Sequence, residues 1–380
     1  GLQDGLVLIC LFDYLIAAIQ SQSLVTQSDD HGNLLALNNG LYDINTHTFS
    51  PWEDVEDGKY RFFARIPITY NTLIPVDQTI IDFERYRSSL FEESVAEDYK
   101  KVLDQFLGYV FCRELPAQKM VFFYGPGGTG KSTYANFLSR LVGSNNSRHK
   151  TLNMLLDSKY AASDLKGIML NVGDETVTAR NLTSVDMLKS LAVDGYREVE
   201  AKYKASEKIK LYAKHIFCSN DRPQTQDRAF WDRTLVIPFV NVFRGAENNI
   251  SDDKLKAIMD SETIKSYMFN LAMDGLKTLQ SNNWRFHTFP EMEAAKQDFI
   301  PADNPVEVWL QESEINDETI IGRSTQEVRD SYKQWCTANR YRPMGIQQFS
   351  QYIKDVFSVT IGRRQQPNGK KVRCYRATEE

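Results

Sequence analysis

Residues Gly125-Pro126-Gly127-Gly128-Thr129-Gly130-Lys131-Ser132, followed by Thr133, place four glycines, a lysine and a hydroxyl in the pattern G-x-x-x-x-G-K-[ST]. The chemistry of that pattern is phosphate binding. Glycines let successive backbone N–H groups curve around an anion, and the positive end of a following helix adds to the attraction. Lys131 is spaced to reach β- and γ-phosphates, and Ser132 to hold Mg²⁺. ATP and Mg²⁺ are therefore the expected cofactors. A surface turn could show the same letters, but here an apolar run, Met120–Tyr124, precedes the glycines and a helix-like stretch follows.

Phosphate chemistry needs an acidic partner at the end of a second strand. Ile168-Met169-Leu170-Asn171-Val172-Gly173 leads into Asp174-Glu175, about 40 residues after the glycines. Asp174 is the candidate metal ligand and Glu175 the candidate general base for an attacking water. A third apolar run, His215–Ser219, ends in Asn220, whose amide could orient that water. Asp227-Arg228-Ala229-Phe230-Trp231-Asp232-Arg233 precedes a fourth run, Thr234–Val240. An arginine there could reach a neighbouring subunit's nucleotide, with Arg233 the first choice and Arg228 the second. Between the acids and Asn220, Lys202, Lys204 and Lys208 fall on a potential hairpin; they could grip a nucleic-acid backbone, or form an ordinary solvated turn.

These residues need a scaffold. Short apolar strands alternate with helical stretches (132–142, 185–192) from about 101 to 245, the pattern of an α/β sheet with helices on its faces. Four regions follow: 1–100, 101–245, 246–304 and 305–380. The first contains an apolar helical run, Leu6–Ile19, the hairpin signal Asn38-Asn39-Gly40, and an amphipathic helix starting near Tyr99 that continues into the second region. The third reads as helical, with Pro301 and Pro305 marking its end.

The 380 residues carry a net charge of −5, so any nucleic-acid contact must be a local patch. From Arg323 to Arg376 there are twelve Lys+Arg against three Asp+Glu, a local +9 that predicts an anionic partner for the tail. Five cysteines, none in a C-x-x-C pair, and five scattered histidines argue against a disulfide framework or a metal cluster. Leu6–Ile19 is interrupted by Asp13 and too short to cross a membrane, so no membrane partner is expected. The chain opens on Gly1 and enters an apolar pattern at once, as expected of a fragment cut from a longer protein.

The four motifs, in this order and at this spacing, resemble superfamily 3 helicases, and more narrowly the primase-associated ATPases of phages, plasmids and poxviruses. Asn39-Gly40-Leu41-Tyr42-Asp43, Pro51-Trp52, Val199-Glu200-Ala201-Lys202-Tyr203 and Asn220…Asp227…Arg233…Ile237-Pro238-Phe239 carry the likeness, and Tyr332-Lys333-Gln334-Trp335-Cys336 with Phe349 is similar to the winged-helix end of such proteins. The resemblance implies an AAA+-like P-loop ATPase core, a largely helical N-terminal oligomerisation region and a basic winged-helix-like C-terminal domain. It also implies a hexameric ring moving 3′→5′ on single-stranded DNA, forked duplex as substrate, an upstream primase or polymerase domain, and a bacterial cytoplasmic location. One departure concerns the finger: the family often has two arginines before the fourth strand, where this chain has Asp232-Arg233. Other readings are an ATP-switched DNA-binding initiator that does not unwind, a protein-remodelling ATPase using Tyr196 and Tyr203 in a pore loop, and a small-molecule kinase.

Overall fold

The computed structural model describes residues 32–377 apart from 58, 61, 63, 158–160, 175–185, 194–195, 200–206, 221–226, 244–250, 301–304, 314, 340, 342 and 366–370. The helix expected over Leu6–Ile19 lies outside the described residues.

The chain first forms an antiparallel sheet of β1 (Leu34–Ala36), β2 (Gly40–Asp43) and β3 (Thr48–Pro51). The Asn38-Asn39-Gly40 signal marks its first turn, closed by Leu37 N–H donating to the Gly40 carbonyl at 2.8 Å. The third strand is a difference from the expected, largely helical region. Helices α1 (Gln78–Ser89) and α2 (Ala96–Val110) follow. In α2, Val102, Leu103, Phe106, Leu107 and Val110 recur at helical spacing and are buried.

The central unit is a five-stranded parallel sheet in the order β10-β4-β9-β6-β5. Its members are β4 (Met120–Tyr124), β5 (Ser147–Arg148), β6 (Leu170–Gly173), β9 (Lys214–Ser219) and β10 (Thr234–Pro238). Between them lie α3 (Lys131–Val142), α4 (Leu152–Asp157), α5 (Asp186–Leu191) and α6 (Arg228–Asp232), with β7 (Tyr196–Val199) and β8 (Glu207–Lys210) paired antiparallel as a separate hairpin. Strand β4 is apolar on both faces because both faces are covered. Its side chains alternate: Val121 and Phe123 join the core shared with α1, α2 and α3, whereas Met120 and Phe122 join a second core containing Phe217, Phe230 and Trp231.

The stretch expected as a helical linker forms α7 (Asp252–Asp260), α8 (Glu262–Ser281) and α9 (Pro290–Phe299). Ser261 caps α8 by accepting from Ile264 N–H. α8 lies against α2 at a crossing too close for side chains at two positions. A Cβ on Gly108 would stand 2.2 Å from the Ala272 carbonyl oxygen, and one on Gly275 would stand 2.6 Å from that of Asp104.

Beneath that crossing sits a buried charge cluster. Arg87 is 1% exposed and pairs with Glu84 at 2.8 Å and with Asp104. Burial opposes its charge, but Asp104 and Glu84 raise its pKa well above the ordinary arginine value.

The remaining elements are α10 (Pro305–Glu312), α11 (Asp317–Ile320), α12 (Thr325–Ala338), α13 (Ile346–Val356) and the hairpin β11 (Val359–Gln365)–β12 (Lys371–Ala377). They share a third core built on Trp309, Tyr332, Phe349, Ile353 and Tyr375. Residues 322–324 run beside β12: Gly322 N–H donates to the Tyr375 carbonyl at 2.9 Å, and Ser324 bridges Cys374. Among the described residues no helix is long and apolar enough to cross a membrane.

Candidate phosphate-binding site

The sheet presents the glycine loop at the C-terminal end of β4, which lies between β9 and β10. In open parallel α/β sheets that edge is where ligands bind. Gly125, Gly128 and Gly130 have φ of +151°, +83° and +81°, backbone that side-chain-bearing residues rarely adopt. Gly125 has a second requirement, since a Cβ there would stand 2.1 Å from the Phe239 carbonyl oxygen.

Gly130 ends the loop and α3 begins at Lys131. No side chain caps α3 and its first turn holds no acid. The helix thus supplies no capping side chain or acid of its own to its N-terminal N–H groups and positive end, the arrangement that suits a phosphate.

Lys131 is 6% exposed. Its Nζ donates to the carbonyls of Gly125 and Pro126 at 2.7 and 2.6 Å and to the Thr129 hydroxyl at 3.2 Å. Burial pushes its pKa below the ordinary lysine value, with Cys218 and Asp174 opposing. Ser132 Oγ donates to Asp174 Oδ1 at 2.6 Å, across 42 positions of sequence. A hydroxyl and a carboxylate side by side are the hard oxygen donors that Mg²⁺ takes. The structure therefore brings together Gly125, Pro126, Gly127, Gly128, Thr129, Gly130, Lys131, Ser132, Thr133 and Asp174. Glu175 lies outside the described residues.

Asn220 is exposed immediately beyond β9. Its neighbour Ser219 accepts from Gly125 N–H at 3.3 Å, so the end of β9 is tied to the start of the loop.

Arg233 stands elsewhere. Thr234 pairs with Met120, and Met120 N–H donates to the Arg233 carbonyl at 2.8 Å. Arg233 is thus at the N-terminal end of β4, one strand of five residues from its own glycine loop, or about 16 Å at the usual rise. Its Nη1 donates to the Ala229 carbonyl at 2.8 Å, while its buried Nε has no hydrogen-bond partner. Arg228, the second choice, is exposed at the start of α6. Asp227 caps α6 through Phe230 N–H at 3.0 Å and pairs with Lys189 of α5 at 2.6 Å, which fixes the helix that begins at Arg228 and leads into Arg233.

Lys208 is exposed on β8, opposite Glu198 of β7. Lys202 and Lys204 lie outside the described residues.

Sequence reasoning missed the brace behind the loop. Phe243 N–H donates to the Gly128 carbonyl at 2.9 Å. Asn241 Nδ2 donates to the carbonyls of Ser89 and Phe91, at 2.9 and 2.7 Å. Leu90, Phe243 and the Tyr86 hydroxyl all lie within 3.5 Å of where a Gly130 Cβ would be. These contacts join residues 40 to 152 positions apart, and no local pattern signals them.

Comparison with known proteins gives a narrower picture than the motifs do. Residues 123–233, which include the glycine loop and Asp174, match a family of unknown function, DUF5906. None of the curated proteins matches the chain. Among solved structures it is similar to apo forms of the NrS-1 C-terminal region, at 16% and 15% identity, with 82% of this chain and 78% of that chain covered and a TM-score of 0.48 in both. That likeness is distant.

Proposed function

We propose that the chain is an ATP-hydrolysing motor of DNA replication that moves along single-stranded DNA and opens duplex ahead of it. The observation that carries this reading is the convergence of four features at one sheet edge: the glycine loop, the uncapped start of α3, buried Lys131 and the Ser132–Asp174 pair. The parallel sheet beneath them supports an AAA+-like P-loop core.

The residues fit ATP·Mg²⁺. Lys131 is held by three oxygen atoms that phosphate oxygens can replace, so binding buries no new uncompensated charge. Ser132 and Asp174 would hold Mg²⁺, which neutralises charge on the β- and γ-phosphates. Glu175, next in sequence to Asp174, would accept the proton of the attacking water, and Asn220 would orient that water. Arg233 is too far from its own loop to share in that work, which favours a role in the site of a neighbouring copy. The reading therefore includes a homo-oligomeric ring, hexameric in the family the sequence resembles. Lys208 of β8, with Lys202 and Lys204 shortly before it in sequence, would grip the strand. A primase or polymerase domain would act alongside.

ATP turnover with and without single-stranded DNA tests this. Stimulation by DNA is expected, with loss of turnover in Glu175→Gln and loss of the stimulation alone in Lys202→Ala. Turnover that ignores DNA would sink the motor reading and favour a nucleotide-switched initiator.

A further inference from the structure

The two chain segments that brace the glycine loop also wall a cavity. Its volume is about 670 Å³, and its lining includes Ser88, Ser89, Phe91, Glu92, Glu93 and Asn241. Leu90, between two of these residues, lies 3.2 Å from where a Gly130 Cβ would stand. Asn241 is two residues before Phe243, whose N–H bonds the Gly128 carbonyl at 2.9 Å. Two residues of extended chain span about 7 Å. The cavity wall is thus within reach of a nucleotide anchored by its phosphates at the loop.

The lining sets which end of a nucleotide can enter. It holds the carboxylates of Glu92, Glu93 and Glu97 and no Lys or Arg. Neighbouring carboxylates repel phosphate and accept hydrogen bonds from hydroxyl and amino groups. The phosphates are therefore directed to the loop, and the uncharged ribose and base to the cavity.

Asn241 gives the cavity an acceptor of fixed identity. Its Nδ2 donates to the Ser89 and Phe91 carbonyls at 2.9 and 2.7 Å. Carbonyls only accept, so the amide cannot turn over without losing both bonds. Its Oδ1 is left without a hydrogen-bond partner among the described residues. An oxygen there accepts from the exocyclic amino group of adenine. Guanine carries a carbonyl at the same ring position and meets it acceptor against acceptor.

A second group at this wall lacks a partner. Tyr86 is 7% exposed, and its hydroxyl makes no hydrogen bond. That hydroxyl lies 3.5 Å from where a Gly130 Cβ would stand. Buried polar groups without partners are rare in folded chains. A ribose oxygen passing Gly130 between loop and cavity would satisfy this one.

We propose that the cavity is the base-and-ribose subsite of the nucleotide, and that Asn241 makes the chain select adenine over purines with a carbonyl in place of its amino group. The proposal rests on the reading of the glycine loop as a phosphate site. Glu92 and Glu93 accept from the ribose hydroxyls, Tyr86 donates to a ribose oxygen, and Asn241 Oδ1 accepts from the base.

Calorimetric titration of the whole chain with Mg²⁺ and ADP, IDP, GDP or inorganic pyrophosphate tests it, since none of the nucleoside diphosphates presents a γ-phosphate to hydrolyse. Wild type is expected to bind ADP about tenfold more tightly than IDP or GDP. In Asn241→Ala that preference should disappear while pyrophosphate affinity is unchanged. Equal wild-type affinity for ADP, IDP and GDP would overturn the proposal and leave the loop reading intact, and it needs no variant to be seen. A variant that loses ADP and pyrophosphate affinity in proportion and keeps the preference would also overturn it, because Asn241 would then only brace the loop. Failure of every ligand to bind wild type, pyrophosphate included, would instead remove the loop reading itself, and this proposal with it.

Discussion

The glycine-loop region and the C-terminal hairpin both concentrate positive charge, but they hold it differently. In the region that carries the loop, three cations are enclosed and answered. Lys131 has three oxygen partners, Arg87 has two carboxylates, and Lys214, wholly buried in β9, bonds the Cys112 carbonyl and stands 4.6 Å from the Tyr109 ring. On the hairpin Arg363 and Arg373 are open to solvent and face one another. Each surface is thereby suited to a different task. Phosphoryl chemistry needs donors fixed to a fraction of an ångström, which burial provides. Gripping a polyanion needs only charge within reach.

The contrast is most vulnerable at Arg87. Its guanidinium ties Glu84 of α1 to Asp104 of α2 beneath the helices that brace the loop. Arg87→Ala leaves Asp104 without its buried partner, and a loss of roughly 3–5 kcal/mol is expected in urea unfolding. A loss below about 1 kcal/mol, the value of an exposed pair, would show that the cluster is open to water.

Acid probes the same region. His215 is fully buried, with neither ring nitrogen hydrogen-bonded. Burial, and then the charge of Lys214, lowers its pKa to about 4. The unfolded chain takes up this proton near the ordinary histidine value and the folded chain only near 4, so the unfolded state binds more protons in between. Stability is therefore full above pH 6.5 and falls as pH drops toward 4, by about 3 kcal/mol from this group. Unfolding midpoints of wild type and His215→Leu, compared across that range, should diverge with acid, the variant losing less. Parallel curves would contradict the assignment.

The smallest effect belongs to the hairpin. Removing both facing arginines should leave stability within about 0.5 kcal/mol of wild type in a thermal melt, because exposed charges contribute little. A large drop would mean that the hairpin cations are structural.

Much of the loop region was legible in the sequence because its signals are local. The strand Met120–Tyr124 lies where the apolar run places it, the helix begins within a residue of expectation, and Asp174 directly follows a strand as the motif requires. β5 was missed because two residues have no periodicity to read. Nothing near Arg87 in the sequence signals its burial, because α2, which covers it, follows later in the chain. The Gly108–Gly275 crossing and the Phe243–Gly128 bond join distant segments, which only the folded chain brings together. In the tail, the excess of positive charge was legible but the register that sets Arg363 against Arg373 was not.

The position of Arg233 lets a two-copy ATP site be tested in one mixture. If two copies build each site, Lys131→Ala and Arg233→Ala chains should each lose turnover by roughly 100-fold or more. Co-expressed and purified together, they should regain a measurable part of it, because some interfaces pair an intact loop with an intact arginine. Wild-type turnover by Arg233→Ala alone, or a mixed assembly as inactive as its components, would contradict a shared site.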